Sequence, residues 1–142
     1  MERPVSIAVR TMTTADYDAV IEMWRGLAGM GLSKSDEPGE IERFIARNPE
    51  TSLVLTRDDT IVGSVLGGFD GRRGYLYHLA VREEDQGRGY GTMLMDELER
   101  RFRDLGAMRL HLMIYIDNDA AEFYRKRGWW VRDELLLMSK DL

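Results

Sequence analysis

The chain has no cysteine among its 142 residues, which excludes disulfides, thiolate catalysis and cysteine-held metals together. It has no apolar run near the roughly 20 residues that a membrane span needs. Its opening stretch, MERPVSIAVRTM, lacks the basic start and apolar core of a secretory signal. These absences fit a cytoplasmic location and no membrane partner. An excess of basic charge is missing too. Lys and Arg number 20 against 25 Asp and Glu, and the net charge of −5 argues against a nucleic-acid partner. An acidic surface does tolerate a cationic substrate. There is no internal repeat or low-complexity tract, so a single domain over residues 1–142 is expected. What is present, 44% hydrophobic and 32% charged residues, describes a soluble globular chain long enough to bury a core.

Hydrophobic periodicity sets the order of elements. Val5, Ile7 and Val9 alternate as a strand would. Thr13 and Asp16 form a helix-start pair, and Tyr17, Val20, Ile21, Trp24 and Leu27 then recur at helical spacing, with Trp24 on the core stripe. GMGLSKSDEPGE reads as a loop, followed by a short helix with Ile41, Phe44 and Ile45 on one face, stopped at Asn48-Pro49. SLVLT and IVGSVLGG, joined by RDDT, make an antiparallel hairpin. FDGRRG turns the chain into the strand YLYHLAV. The best helix follows, with Leu94, Met95, Leu98, Phe102 and Leu105 on one stripe and Gly106 at its end. MRLHLMIYI alternates as another strand. DNDAAEFYRKRG reads as a short helix capped by Asp117 or Asn118 and closed by Gly128, and WWV and ELLLMSK as the last strand or strands. The expected fold is an α/β (α+β) sandwich. Its central sheet is mixed and mostly antiparallel, with six to seven strands and about four helices on both faces.

Between YLYHLAV and the long helix stands QGRGYG, with Gly87, Gly89 and Gly91 on alternate residues. The first N–H groups of a helix lack intrahelical partners and carry partial positive charge. Alternate glycines there leave room for an anion such as phosphate. The spacing is neither the dinucleotide fingerprint, which would need glycine at Leu94, nor a Walker loop, which would need a following Lys-Ser or Lys-Thr. By spacing alone, a flexible turn without a ligand stays as open as an anion seat.

The wider segment LAV-REED-QGRGYG-TMLMDELERRF resembles motif A of the GNAT superfamily of N-acetyltransferases, whose pattern is Gln/Arg-x-x-Gly-x-Gly/Ala. DNDAAEFYRKRGW resembles the family's motif B, and the order of elements agrees along essentially the whole chain. IVGSVLGGFDGRRGYLYHLAV is similar to a branch of small bacterial acetyltransferases. The resemblance implies acetyl-coenzyme A as co-substrate. The main chain of Leu79, Ala80 and Val81 would lie against its pantetheine arm, beside a β-bulge that opens the slot. Its pyrophosphate would sit at Gln86, Gly87, Arg88, Gly89, Tyr90, Gly91 and Thr92.

It also implies that Tyr124 acts as general acid toward the leaving thiolate, the alternative being a packed helix tyrosine. Asp117 or Asn118 would fill the polar position of motif B. The family usually places seven residues between the asparagine and the tyrosine, so Asn118 is one short and the choice stays open. No general base stands out. Leu112 and Met113 occupy the position where some members carry a glutamate. His78 is a candidate base or water relay, with Tyr75 and Tyr77 on the opposite face of a regularly alternating strand as candidate substrate residues. Asp36, Glu37 and Asp70 are either ammonium ligands or solvated turn residues. Of Trp129 and Trp130, one is expected to pack and the other to be exposed. The expected activity is acetyl transfer to a primary amine of a small molecule or peptide by direct attack in a ternary complex, by a monomer or homodimer without a metal. A non-catalytic acyl-coenzyme A sensor is the alternative.

Overall fold

In the computed structural model, which describes residues 3–142, five strands and four α-helices account for most of the chain up to Gly128. The strands are β1 (Ile7–Thr11), β2 (Leu53–Arg57), β3 (Thr60–Phe69), β4 (Gly74–Val81) and β5 (Leu110–Leu112). They lie in the order β1-β2-β3-β4-β5. All neighbours are antiparallel except the parallel β4–β5 pair. The helices are α1 (Tyr17–Arg25), α2 (Pro38–Arg47), α3 (Tyr90–Asp104) and α4 (Ala121–Lys126).

Local chemistry explains each boundary. A single 3-10 turn at Thr14–Asp16 precedes α1, with the Asp16 carboxylate accepting from the Thr13 N–H at 2.8 Å. The Arg10 guanidinium grips the same carboxylate at 2.8 and 2.9 Å and holds it below the usual carboxylate range. The β2–β3 turn uses Asp58 and Asp59 at φ 49° and 67°, the left-handed pair that a tight hairpin demands. Gly106 at φ 93° ends α3.

The helices cover both faces of the sheet. Val20, Ile21, Trp24 and Ile41 of α1 and α2 pack with Met12, Val54, Leu66 and Ala80 on one face. On the other, Leu94, Met95, Leu98 and Phe102 of α3 and Tyr124 of α4 pack with Leu53, Leu55, Val62, Val65 and Leu76. Each fully buried large side chain of this kind contributes roughly 1.5–3 kcal/mol, so α3 is the most firmly seated helix. Two strand glycines make that seat. A Cβ at Gly67 would lie 2.6 Å from the Thr51 carbonyl oxygen and 3.0 Å from the Phe102 ring, and one at Gly74 would lie 2.8 Å from the same ring.

The structure corrects several expectations. The sheet has five strands rather than six or seven. MRLHLMIYI is strand only at Leu110–Leu112, and Met113 to Ile116 leave the sheet. WWV and ELLLMSK form no strand among the described residues. Local contacts hold that segment instead. Arg109 and Arg132 bracket the Trp130 ring at 5.6 and 5.8 Å, Arg132 pairs with Glu134, and the Leu135 N–H turns back to the Arg132 carbonyl. An alternating apolar pattern becomes a strand only where an edge accepts its hydrogen bonds. Here β5 offers only three residues.

Three smaller shifts follow the same logic. Val5 lies outside β1 and is exposed, and Leu105 is partly exposed beyond the end of α3. Inside the predicted GMGLSKSDEPGE loop, a 3-10 turn at Lys34–Asp36 forms and Pro38 starts α2, because proline fits the first helical position.

Candidate functional site

The glycine loop connects β4 to α3 through a 3-10 turn at Glu83–Asp85. Asp85 is buried and ion-paired with Arg57 of β2, which pins the start of the loop to the sheet. Gly87 (φ 81°) and Gly89 (φ 84°) are left-handed, and Gly89 is the residue just before α3. A Cβ on either would meet nothing within 4 Å. Their requirement is therefore conformational rather than steric within the protein. No side chain caps α3. Among the described residues, the backbone N–H groups of 87–92 have no protein acceptor. Arg88 and Thr92 are exposed beside them, and Tyr90 turns into the core. Gln86 is exposed as well. Its amide donates to the Val81 carbonyl at 3.0 Å and ties the loop to the end of β4.

That strand carries the second element of the site. Opposite β3, Tyr77 pairs with Leu66 and Ala80 with Ser64, so His78 and Leu79 together face Val65. This is a β-bulge, with His78 at φ 51°. It overturns the expected alternation. His78 falls on the same face as Tyr77, toward α1 and α2, while Leu79 and Val81 pack toward α3. On its other edge β4 pairs with β5 only from Gly74↔Leu110 to Leu76↔Leu112. Residues 77–81 run on without that neighbour. The sheet is thus open beside Leu79, Ala80 and Val81, a short step from the α3 N-terminus.

On the α1–α2 face, a cavity of about 480 Å³ contains His78 and Tyr77 of β4 and Leu66 of β3. Asp36, Glu40, Ile41, Arg43, Phe44 and Arg47 form its other wall. The His78 Nε2 lies 2.9 Å from the Asp36 Oδ1, and the Trp24 ring covers the imidazole at 4.8 Å. Trp24 is fixed in turn by its indole N–H, which donates to the Ser64 hydroxyl at 2.9 Å. Asp36 is buried. Its other oxygen accepts from the Ser33 N–H at 2.9 Å, and its carbonyl accepts from the Tyr17 hydroxyl at 2.7 Å. Asp36 is therefore neither a solvated turn residue nor a free ammonium ligand. A carboxylate only accepts, so a neutral His78 carries its proton on Nε2 and keeps Nδ1 as an acceptor. Inside the segment read as a loop, the spacing Ser33-x-x-Asp36 is a helix-start signal that was available in the sequence. Its link to β4 was not.

Tyr124 lies on the α3 face of the sheet, across from His78. It is buried among the α3–β5 residues, between Phe123 at 5.3 Å and Trp129 at 5.6 Å. Burial pushes its phenol up to about 12, so it stays protonated at any ordinary pH. It borders the larger cavity, about 870 Å³, which also touches β5 and Tyr75 and lies away from the glycine loop under the C-terminal segment. Tyr75 stacks at 5.7 Å on His111.

At the turn before α4, the Asn118 side chain accepts from the Ala120 N–H at 2.8 Å, while Asp117 is exposed. Neither is the helix cap, which falls at Ala120. Asn118 also points its amide at Gly29, at the loop following α1. Asp70 is spent within its own turn, accepting from the Arg72 and Arg73 N–H groups at 2.7 Å, and it borders neither cavity. Trp129 packs on Tyr124 and Trp130 is exposed.

Residues 17–129 match the sequence model of the Acetyltransferase (GNAT) family. An acetyltransferase of Yersinia pestis (strain Pestoides F) is 35% identical over 130 residues, covering 91% of this chain and 92% of that protein. One from Sodalis glossinidius is 33% identical over 135 residues, covering 94% of each. Among solved structures, the PaiA N-acetyltransferase of Thermoplasma acidophilum in complex with coenzyme A superposes with a TM-score of 0.78 at 20% identity, over 90% of this chain and 92% of that one. The glucosamine-6-phosphate N-acetyltransferase of Arabidopsis thaliana gives 0.73 at 16% identity, over 96% and 98%. These two likenesses concern the fold.

Proposed function

The chain belongs to the acetyltransferase (GNAT) family, and from that premise we propose that it moves an acetyl group from acetyl-coenzyme A to a primary amine by direct attack in a ternary complex. The observation that carries this reading is the open edge of β4. It lies between an uncapped helix N-terminus on one side and the His78 cavity on the other. The protein's own groups fit the co-substrate. The free N–H groups of 87–92 suit a pyrophosphate, and Gly87 and Gly89 present no side chain to it. The unpaired edge at Leu79, Ala80 and Val81 suits an extended amide-bearing arm. Bound there, acetyl-coenzyme A supplies an activated acyl group on a thiolate leaving group.

The side chains divide the proton work. His78 accepts a proton from the incoming ammonium at Nδ1, directly or through water, while Asp36 holds the ring's orientation through Nε2. Main-chain N–H groups near Val81 polarise the carbonyl that is attacked. Tyr124 donates its hydrogen to the departing sulfur. A phenol raised to about 12 is a weak acid. The same burial raises the proton affinity of a thiolate held beside it, which keeps donor and acceptor matched. Asn118 positions the start of α4, and with it Tyr124.

The test is thiol release from acetyl-coenzyme A across a panel of amines, with wild-type protein and Tyr124→Phe. Turnover by the wild type should fall about 10²-fold or more in the variant, with coenzyme A affinity little changed. Because the phenol titrates near 12, turnover should show no alkaline loss from Tyr124 up to about pH 10. Binding of acetyl-coenzyme A with no thiol release from any amine would overturn the transferase reading. Unchanged turnover in Tyr124→Phe would remove its role as acid.

A further inference from the structure

We infer that the preferred acceptor is a small amine that also carries an anionic group, a carboxylate or phosphate, separated from the amine by a short apolar spacer. The inference rests on the acetyl-transfer reading and names the substrate class of the same site. It comes from the charges lining the 480 Å³ cavity. That volume suits a small molecule.

Two carboxylates border it, one firmly held and one in an exposed pair. Asp36 holds His78 and the Ser33 N–H, and Glu40 accepts from Arg43 at 2.8 Å. Asp36 is committed, and Glu40 stands against two guanidinium groups, Arg43 and Arg47, so the charge along the α2 wall favours an anion over the second ammonium of a diamine. The cationic side is different. Arg43 and Arg47 stand one helical turn apart on α2, and among the described residues Arg47 has no carboxylate within 4.0 Å. Arg43 is held only by an exposed i,i+3 pair, which is worth little and exchanges readily. The α2 wall therefore offers one unpaired guanidinium and one weakly committed one, donors suited to a carboxylate or phosphate. The same lining includes Ile41, Phe44, Leu66 and Tyr77, with Phe44 and Tyr77 edge to face at 6.0 Å. This wall accepts methylenes or a ring. The cavity lining thus combines a proton acceptor, an apolar wall and two guanidinium groups on α2.

The experiment compares ω-amino acids with diamines and unbranched monoamines of matching length, measuring kcat/KM by thiol release for wild type, Arg47→Glu and Arg47→Lys. Wild type should favour the ω-amino acid over the diamine by about tenfold or more. Arg47→Glu should remove or reverse that preference while leaving the thermal stabilisation by coenzyme A unchanged, and Arg47→Lys should keep part of it. Diamines preferred by the wild type, or a preference that Arg47→Glu does not move, would overturn this inference while leaving acetyl transfer standing. Thiol release from no amine in the series would overturn both.

Discussion

Replacing Gly91 by alanine separates what the glycine loop does for the protein from what it does for a ligand. Unlike Gly87 and Gly89, Gly91 has no positive φ and lies inside the first turn of α3. A Cβ built there would touch the Phe123 ring at 3.5 Å, an ordinary contact. The fold therefore gives no reason for glycine at this position. Alanine should instead be better, since glycine in a helix costs roughly 0.8–1.0 kcal/mol relative to alanine. We expect Gly91→Ala to raise the unfolding free energy of the ligand-free protein by about 0.5–1 kcal/mol, which is about 2–4 °C in Tm for a chain of this length. If the N–H groups of the first turn hold a pyrophosphate, the added methyl group keeps that anion off the backbone and weakens a charge-assisted hydrogen bond. Such a bond is worth about 1.5–3 kcal/mol, or about 10- to 150-fold in Kd. Urea unfolding without ligand and calorimetric titration with coenzyme A measure the two effects separately. A variant that is stabilised and still binds coenzyme A like the wild type would refute the anion seat at Gly91. A destabilised variant would mean that Phe123 packs closer than the structure shows.

Two further substitutions test other joints of the structure. His78→Gln should lower kcat by about 10²-fold or more with little change in coenzyme A affinity, and Asp36→Asn should lower kcat less. The Asp36 variant should also lose stability, because the Ser33 cap and the tie to β4 share that carboxylate. Equal kcat in both variants and wild type would remove His78 as base. Gly67→Ala should destabilise by at least about 1–3 kcal/mol in urea, because its Cβ would meet a backbone oxygen at 2.6 Å, which cannot yield as a side chain can. A neutral result would show that the Thr51 backbone gives way more easily than its packing implies.

The parts of the chain that could be read without its fold are those governed by neighbours in sequence. The hairpin at RDDT, the stripe of Leu94, Met95, Leu98 and Phe102, and the helix stop at Gly106 follow from turn chemistry and periodicity. So does the uncapped, glycine-lined start of α3, because a helix N-terminus presents free N–H groups whatever surrounds it. The five-stranded limit of the sheet could not be read that way. ELLLMSK has a strand's composition, but strand formation is settled by whether an edge is within reach, and Trp130 is held elsewhere by Arg109 and Arg132. The face of His78 could not be read either. One bulged residue reverses the alternation of a strand; the resemblance implies a bulge, but its position shows only in the register against Ser64 and Leu66. That single slip brings an imidazole on β4 to a carboxylate 42 residues earlier in the chain. Sequence alone determined the glycine-lined helix start, because its chemistry lies within six consecutive residues. Only tertiary structure decided what faces it across the sheet, because those groups meet through pairing and packing rather than through spacing.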